Sequence, residues 1–336
     1  MKTTTFNLKL FDLVLQTGTN TNLNANTTGS SSLTAGMVTF YDKNLIKLAT
    51  AELYYEQFAE KRPIPKKSGK TIQFRYYKPL GKQTTALTEG VTPNGQTLRQ
   101  EGITTTLAQY GGYVTLTDVL DMVHIDNNVL EAQEELARQA AETRDTIIRD
   151  MLCGNATQII RPAARATSAA LTASDVLTVD VIRQAVRQLK RNNAPKINGK
   201  YVAVVHPDIA YDIMSDDKWI NPSQYVDTQK IYNGEIGELY GVRFVESTEA
   251  KIESTKSTSG VSVYDVMFLG KGAYAVTDID GGVHSIVKPL GSGGTSDPLD
   301  QRSTAGWKMM FATCYLVKEY AVMVQCASSA GAVNAN

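Results

Sequence analysis

An α+β fold is predicted for this chain, and three features of the sequence carry that prediction. Period-two apolar alternation occurs near both ends of the body, in "TIQFRYY" with "GITTTLAQY" and again in "WKMMFATCYLVKEYAVMVQCA". One long helical run, "NVLEAQEELARQAAETRDTIIRDMLCG", stands between them. Residues 172–290 then mix short strand and helix signals, as an α/β lobe does. With 336 residues, 42% hydrophobic and 20% charged, the chain suits two domains or one elaborated domain.

The elements follow in order. "TGTNTNLNANTTGSSSLTAG" is too polar to bury, so residues 1–36 are expected to form a flexible arm. Leu45, Ile46, Ala49 and Leu53 recur at helical spacing, predicting an N-terminal helix over 37–61 that "RPIP" stops. Residues 62–110 read as a long hairpin. Ile72, Phe74 and Tyr76 share one face of its first strand; Ile103, Thr105 and Leu107 share one face of the second. Its tip, residues 78–102, carries Pro79, Pro93 and the turn signal "PNG".

The long helix is placed at 127–153, a rod of about 37 Å at 1.5 Å per residue. Val129, Ala132, Leu136, Ala140, Thr143, Ile147 and Met151 draw a narrow stripe for packing against a sheet, and Gly154 ends the helix. Its carboxylates alternate with Arg138, Arg144 and Arg149, which reads as a solvated or interface face. In the lobe, Val179, Ile182, Val186 and Leu189 form the buried face of a helix. "YVAVV" is a buried strand ended by a turn at "HPD", and further strands are expected at "GVRFVES", "YDVMFLG", "AYAVTDI" and "VHSIV". "DIDGG" between the last two is read as a hairpin turn. The break "GSGGTSDP" precedes a final segment that returns to a sheet shared by both halves. Residues 172–290 are thus expected to be inserted as a lobe.

Composition excludes several functions. Lys+Arg and Asp+Glu both number 34, so no overall basic excess points to nucleic acid. Cys153, Cys314 and Cys326 are odd in number and lack metal spacing, as reduced intracellular thiols do. No apolar run reaches the roughly 18 residues of a membrane span. Lys9 and Asp12 interrupt the apolar N-terminal stretch, which argues against a signal peptide.

Catalytic motifs fail one by one. "KKSGKT" has Ile64 where a phosphate loop needs glycine. His124, His206 and His284 sit in unrelated segments without metal-ligand neighbours. There is no G-x-S-x-G elbow, and the sequon Asn155-Ala-Thr157 means little without secretion. No catalytic residue, cofactor or metal site is expected.

The hairpin tip is different. Leu80, Leu87, Val91 and Leu98 cannot offset the entropy of ordering a tip of this length. The tip is therefore mobile or ordered by another molecule. Charge favours the second outcome. Lys61, Arg62, Lys66, Lys67, Lys70, Arg75, Lys78 and Lys82 occur without an acid between them, whereas Asp126 to Asp150 holds seven acids against three arginines. A basic finger meeting an acidic rod on an identical chain makes a heterologous contact, the kind that builds rings or open assemblies. The interface candidates are Lys66, Lys67, Lys70, Arg75, Tyr77, Lys78, Leu87, Glu89 and Val91 on the hairpin, with Glu131, Glu134 and Glu135 on the rod. Phosphate binding by the basic run is the weaker reading, because Tyr76-Tyr77 alone offers little base stacking.

The motifs "RPIPKKSGKTIQFRYYKPL", "ALTEGVTP" and "YGGYVTLTDVLDM", in this order of elements, resemble the major capsid proteins of tailed bacteriophages (Caudoviricetes type). These share the Johnson fold with the herpesvirus capsid floor. The resemblance spans about 37–326. It implies an extended loop at 62–110 lying across an adjacent subunit and a spine helix at 127–153. It also implies a peripheral domain at 111–171 with 291–336, and an axial domain at 172–290 gathered at the centres of hexamers and pentamers. The implied product is an icosahedral virion capsid, assembled in the host bacterial cytoplasm around double-stranded DNA that is not read by sequence. Portal, scaffolding and decoration proteins are the implied further partners, and no membrane is involved. An encapsulin-like compartment shell and a soluble oligomeric α/β enzyme are the alternatives.

Overall fold

The computed structural model describes residues 54–65, 69–123, 128–216, 237–293 and 297–331. The expected arm, the predicted helix up to residue 53, Lys66, Lys67 and His124 lie outside them. In chain order the strands begin with β1 (Glu60–Lys61), β2 (Thr71–Tyr77), β3 (Gln100–Thr106), β4 (Ala108–Thr117), β5 (Ile159–Ile160) and β6 (Tyr201–Val205). They continue with β7 (Glu238–Leu239), β8 (Val242–Glu246), β9 (Ile252–Glu253), β10 (Val263–Leu269), β11 (Tyr274–Lys288), β12 (Arg302–Tyr315) and β13 (Ala321–Cys326). The α-helices are α1 (Asp118–Val123), α2 (Asn128–Gly154), α3 (Val179–Arg191) and α4 (Pro207–Met214).

These elements form two compact units. One contains Tyr110–Ala141 and Val283–Met309; the other contains Leu53–Gln109, Glu142–Gly282 and Met310–Asn336. The second unit is built on a sheet of order β5-β13-β10-β6-β8-β7, with β9 also paired to β10. β10 lies antiparallel between β13 and β6, with Met267 opposite both Met323 and Val204. Every residue of β6, β10 and β13 is buried, so both faces of the sheet are covered. One face packs on α3 and α4 through Ile182, Val186, Leu189, Ile209 and Ile213 against Val205, Tyr264, Phe268 and Val324. The buried face of α3 is the one its periodicity predicts.

Three elements depart from the sequence reading. The end of the predicted 37–61 helix is a single 3-10 turn, Tyr55–Phe58, and Glu60–Lys61 is extended, parallel to Ala275–Val276 of β11. "DIDGG" is not a turn, because β11 runs unbroken through it. Asp278 is held there by Arg144 at 3.4 Å, and Gly282 takes φ +95°, where a Cβ would come 3.2 Å from the Arg144 guanidinium. The last alternating segment is two strands, not one. It breaks at a 3-10 turn, Lys318–Tyr320, so that β12 joins β11 while β13 crosses into the sheet beside β10. "HPD" ends β6 as expected but also starts α4: the His206 ring nitrogen Nδ1 accepts the Asp208 amide at 3.3 Å, with Pro207 in the first turn.

In the first unit, "YGGYVTLTD" gains a physical reason. A Cβ at Gly111 would lie 2.7 Å from the Trp307 carbonyl oxygen, and one at Gly112 would lie 2.7 Å from Gln139 Oε1. The glycines let β4 press against β12, where Trp307 Nε1 donates to Gln139 of α2 at 2.9 Å. Ser285 donates to buried Gln133, six residues earlier on the same helix, at 2.8 Å.

Candidate assembly surfaces

The hairpin is built from its base outward. β2 and β3 pair antiparallel from Thr71↔Thr106 to Tyr77↔Gln100. Alternation places Phe74 inward and buried, with Ile72, Ile103 and Thr105 half-buried. Arg62 lies 5.8 Å over the Phe74 ring, and Ile72 packs on the small cluster of Ile64, Leu107 and Ala312. Past Phe74 the burial stops. Residues 75–102 are exposed throughout, including Tyr76 on the face that alternation assigned inward.

The tip has sparse internal support. Lys78 N–H donates to the Arg99 carbonyl at 2.9 Å, Val91 N–H to Thr88 at 3.2 Å, and the Gln96 side chain to Gly81 at 3.0 Å. Leu80, Leu87, Val91 and Leu98 are 55–75% exposed, and Tyr77 is 60% exposed. Four aliphatic side chains on a projecting hairpin, none of them packed on the chain's own core, leave apolar surface for another molecule.

The basic run is less bare than the sequence suggests. Lys78 pairs with Glu101 across the strands, Arg62 pairs with Glu60, and Lys61 pairs with Glu56 at 2.7 Å. Tyr76 also donates to Glu101, at 2.6 Å. Of the remaining cations, Lys70, Arg75 and Lys82 are exposed and form no ion pair among the described residues. Glu89 is exposed at the tip. On α2, Glu131, Glu134 and Glu135 are exposed as expected, and Glu135 holds Arg138 at 2.6 Å.

Two of the three arginines of α2 overturn the solvated-face reading. Arg144 and Arg149 are 5% and 2% exposed. Both carboxylate oxygens of Glu56 face the Arg144 guanidinium at 2.8 and 2.9 Å, and Phe311 lies 5.3 Å from it. Arg149 donates to the Glu249 carbonyl at 2.6 Å. Asp145, between them, accepts the Tyr55 amide at 2.8 Å, and the Tyr274 hydroxyl donates to the Tyr55 carbonyl. The segment leading into the hairpin is thus clamped onto the long helix. The predicted stripe lies on one flank of the true buried face, which runs Ala137, Ala141, Arg144, Ile148, Leu152. That spacing of 4, 3, 4, 4 was visible in the sequence; the charge at 144 disguised it.

Burial pushes the Asp145 carboxyl up to about 6 from 3.8, although the Tyr55 amide and Arg149 favour its ionised form. Folding therefore favours the neutral acid. The contribution is complete below the ordinary value and lost as pH rises through about 6, a change of roughly 3 kcal/mol. Asp145→Asn keeps the acceptor for Tyr55. Relative to the natural chain, this variant is expected to gain about 3 kcal/mol between pH 4 and 7.5 in urea unfolding. A difference independent of pH would contradict the assignment.

A second exposed set has no marked signal in the sequence. The unit containing β4 and α1 exposes Tyr113 and Met122 at about three-quarters of their surface, with Val119 and Leu299 close behind or equal. Among the described residues, no group of three His, Cys, Asp or Glu side chains is arranged to hold a metal ion, and no helix is long and apolar enough to cross a membrane.

The family profile described as phage capsid protein matches residues 100–324. The chain belongs to this phage capsid protein family. It is a structural major capsid protein, a component of the virion capsid whose copies assemble into a multi-subunit shell. Its fold is the α+β Johnson fold of solved capsids. The capsid of Ralstonia phage GP4 is 12% identical, with 81% of this chain and 87% of that chain covered at a TM-score of 0.64. The capsid of cyanophage P-SCSP1u is 17% identical, with 82% and 89% covered at 0.61. The acid-stable capsid of Helicobacter pylori bacteriophage KHP30 is 10% identical, with 82% and 89% covered at 0.63. No curated protein sequence matches this capsid protein. The compartment-shell and soluble-enzyme alternatives gain no support from these similarities.

Proposed function

We propose that the capsid protein assembles as hexamers and pentamers into an icosahedral shell around double-stranded DNA, each copy laying its hairpin across a neighbour. The observation that carries this reading is the exposed tip with Leu80, Leu87, Val91 and Leu98 in solvent. A heterologous contact of this kind propagates from copy to copy, and many modest contacts add up to a closed container. Lys66, Lys67, Lys70, Arg75 and Lys78 steer the finger, Tyr77, Leu87, Glu89 and Val91 seat it, and Glu131, Glu134 and Glu135 of a second copy complement its charge. Tyr113, Val119 and Met122 are further apolar surface for a second copy to cover.

In this reading 62–110 is the extended loop, 127–153 the spine, 111–171 with 291–336 the peripheral domain and 172–290 the axial domain. Assembly takes place in the host bacterial cytoplasm, portal, scaffolding and decoration proteins are the further partners, and the work includes no catalytic step. Reversing Lys66, Lys67 and Lys70 to Glu is expected to cut the yield of sedimenting particles severely while the soluble chain keeps its circular dichroism. Particle yield equal to that of the natural chain would refute the electrostatic steering.

A further inference from the structure

A second acid-free basic run lies outside the hairpin. From Val181 to Pro207 the chain carries six lysines and arginines and no carboxylate. The structure sorts that run. α3 buries Val181, Ile182, Ala185, Val186 and Leu189 and leaves Arg183, Arg187, Lys190 and Arg191 exposed. Arg183, Arg187 and Arg191 are four residues apart, hence about 6 Å apart along the helix axis, with Lys190 among them.

Among the described residues little neutralises this face. Asp180 is the only carboxylate of α3 and lies 3.4 Å from Arg183, both of them half-exposed. The Arg183 guanidinium carbon also lies 5.6 Å from the centre of the Tyr240 ring. Arg187, Lys190 and Arg191 form no ion pair among the described residues.

The chemistry of the face separates its two natural partners. Protein–protein contacts carry an apolar, aromatic-rich centre. The hairpin tip has such residues, whereas the exposed positions of α3 are Asp180, Arg183, Gln184, Arg187, Lys190 and Arg191's cationic row, with no apolar side chain. Nucleic-acid interfaces are polar, wet and strongly basic. Arginine's planar fork matches phosphate oxygens, and helix-spaced cations follow a phosphate backbone without reading bases.

We propose that the outward face of α3 docks the phosphate backbone of double-stranded DNA, independent of sequence. The proposal rests on the shell reading only in that the shell supplies the enclosed duplex. It locates on one helix a basic surface that the neutral net charge of the whole chain conceals.

The test measures binding of a mixed-sequence DNA duplex to the full-length, unassembled chain by fluorescence anisotropy across a salt series. Each phosphate contact contributes about 0.9 to the slope of log affinity against log salt. The variant Arg187→Gln/Lys190→Gln/Arg191→Gln is expected to bind more weakly at low salt, with a slope shallower by roughly 2–3. The charge-conserving variant Arg187→Lys/Lys190→Arg/Arg191→Lys should keep the natural slope. An unchanged slope in the triple Gln variant overturns the proposal. So does a triple variant that binds duplex normally but yields no particles, which would assign the face to an acidic surface of a second copy. Failure of the shell reading would register separately, as a natural chain that never forms particles whatever its DNA affinity.

Discussion

Deleting residues 84–96 is expected to leave a folded, soluble chain that forms no closed particles. All thirteen positions are exposed, and the deletion removes no buried side chain. It takes away one turn hydrogen bond, Val91 to Thr88, and the Gln96 contact to Gly81. The β2–β3 ladder and its Lys78–Arg99 closure remain, spanned by residues 79–83 and 97–98, a workable loop length. Stability should therefore change by no more than about 0.5 kcal/mol, as for surface changes generally. Assembly should suffer far more, because Leu87 and Val91 vanish from every proposed inter-copy contact at once. Sedimentation and negative-stain microscopy decide the matter. Normal particles from the shortened chain would make the tip dispensable and remove the main support for the proposed contact.

The second large effect is inside the molecule. Arg144→Leu is expected to destabilise the unassembled chain by about 3–5 kcal/mol, the usual cost of leaving a buried charge without its partner. Glu56 is 4% exposed and would keep only Lys61, whose side chain is mostly in solvent. Asp278 would lose the same guanidinium. Adding Glu56→Gln to Arg144→Leu should recover part of the loss, since it removes the stranded carboxylate. Urea unfolding of the two variants checks both statements. A single variant within 1 kcal/mol of the natural chain would show that Glu56 finds solvent on its own.

How legible this protein was depends on which residues carry which signal. α3 was plain because its apolar positions obey the helical period with the charges on the other face, and β6 because its five residues form one unbroken apolar run. The hairpin strands were plain as far as Phe74; Tyr76 continues the pattern yet meets no core, since alternation shows which face a residue shares and not how far the core extends. The stripe read on α2 includes buried Leu136 and Ala140 but misses the centre of the face, because Arg144 and Arg149 look like solvent-facing residues until Glu56 and the Glu249 carbonyl, 88 and 100 positions away, are brought to them. "DIDGG" has turn chemistry, but the pairing of β11 with its neighbours and the Arg144 contact to Asp278 override it. The pairing of Lys78 with Glu101 was equally hidden, because strand register decides it.

The placement of β13 bears on how the protein is made. Its six residues, 321–326, fill the position between β10 and β5, yet they follow the rest of that sheet in the chain. During translation, β10 keeps one side unpaired until these codons have been read and the strand has cleared the ribosome. A product that stops short of residue 321 therefore carries an open, apolar β-edge and is a substrate for aggregation or proteolysis.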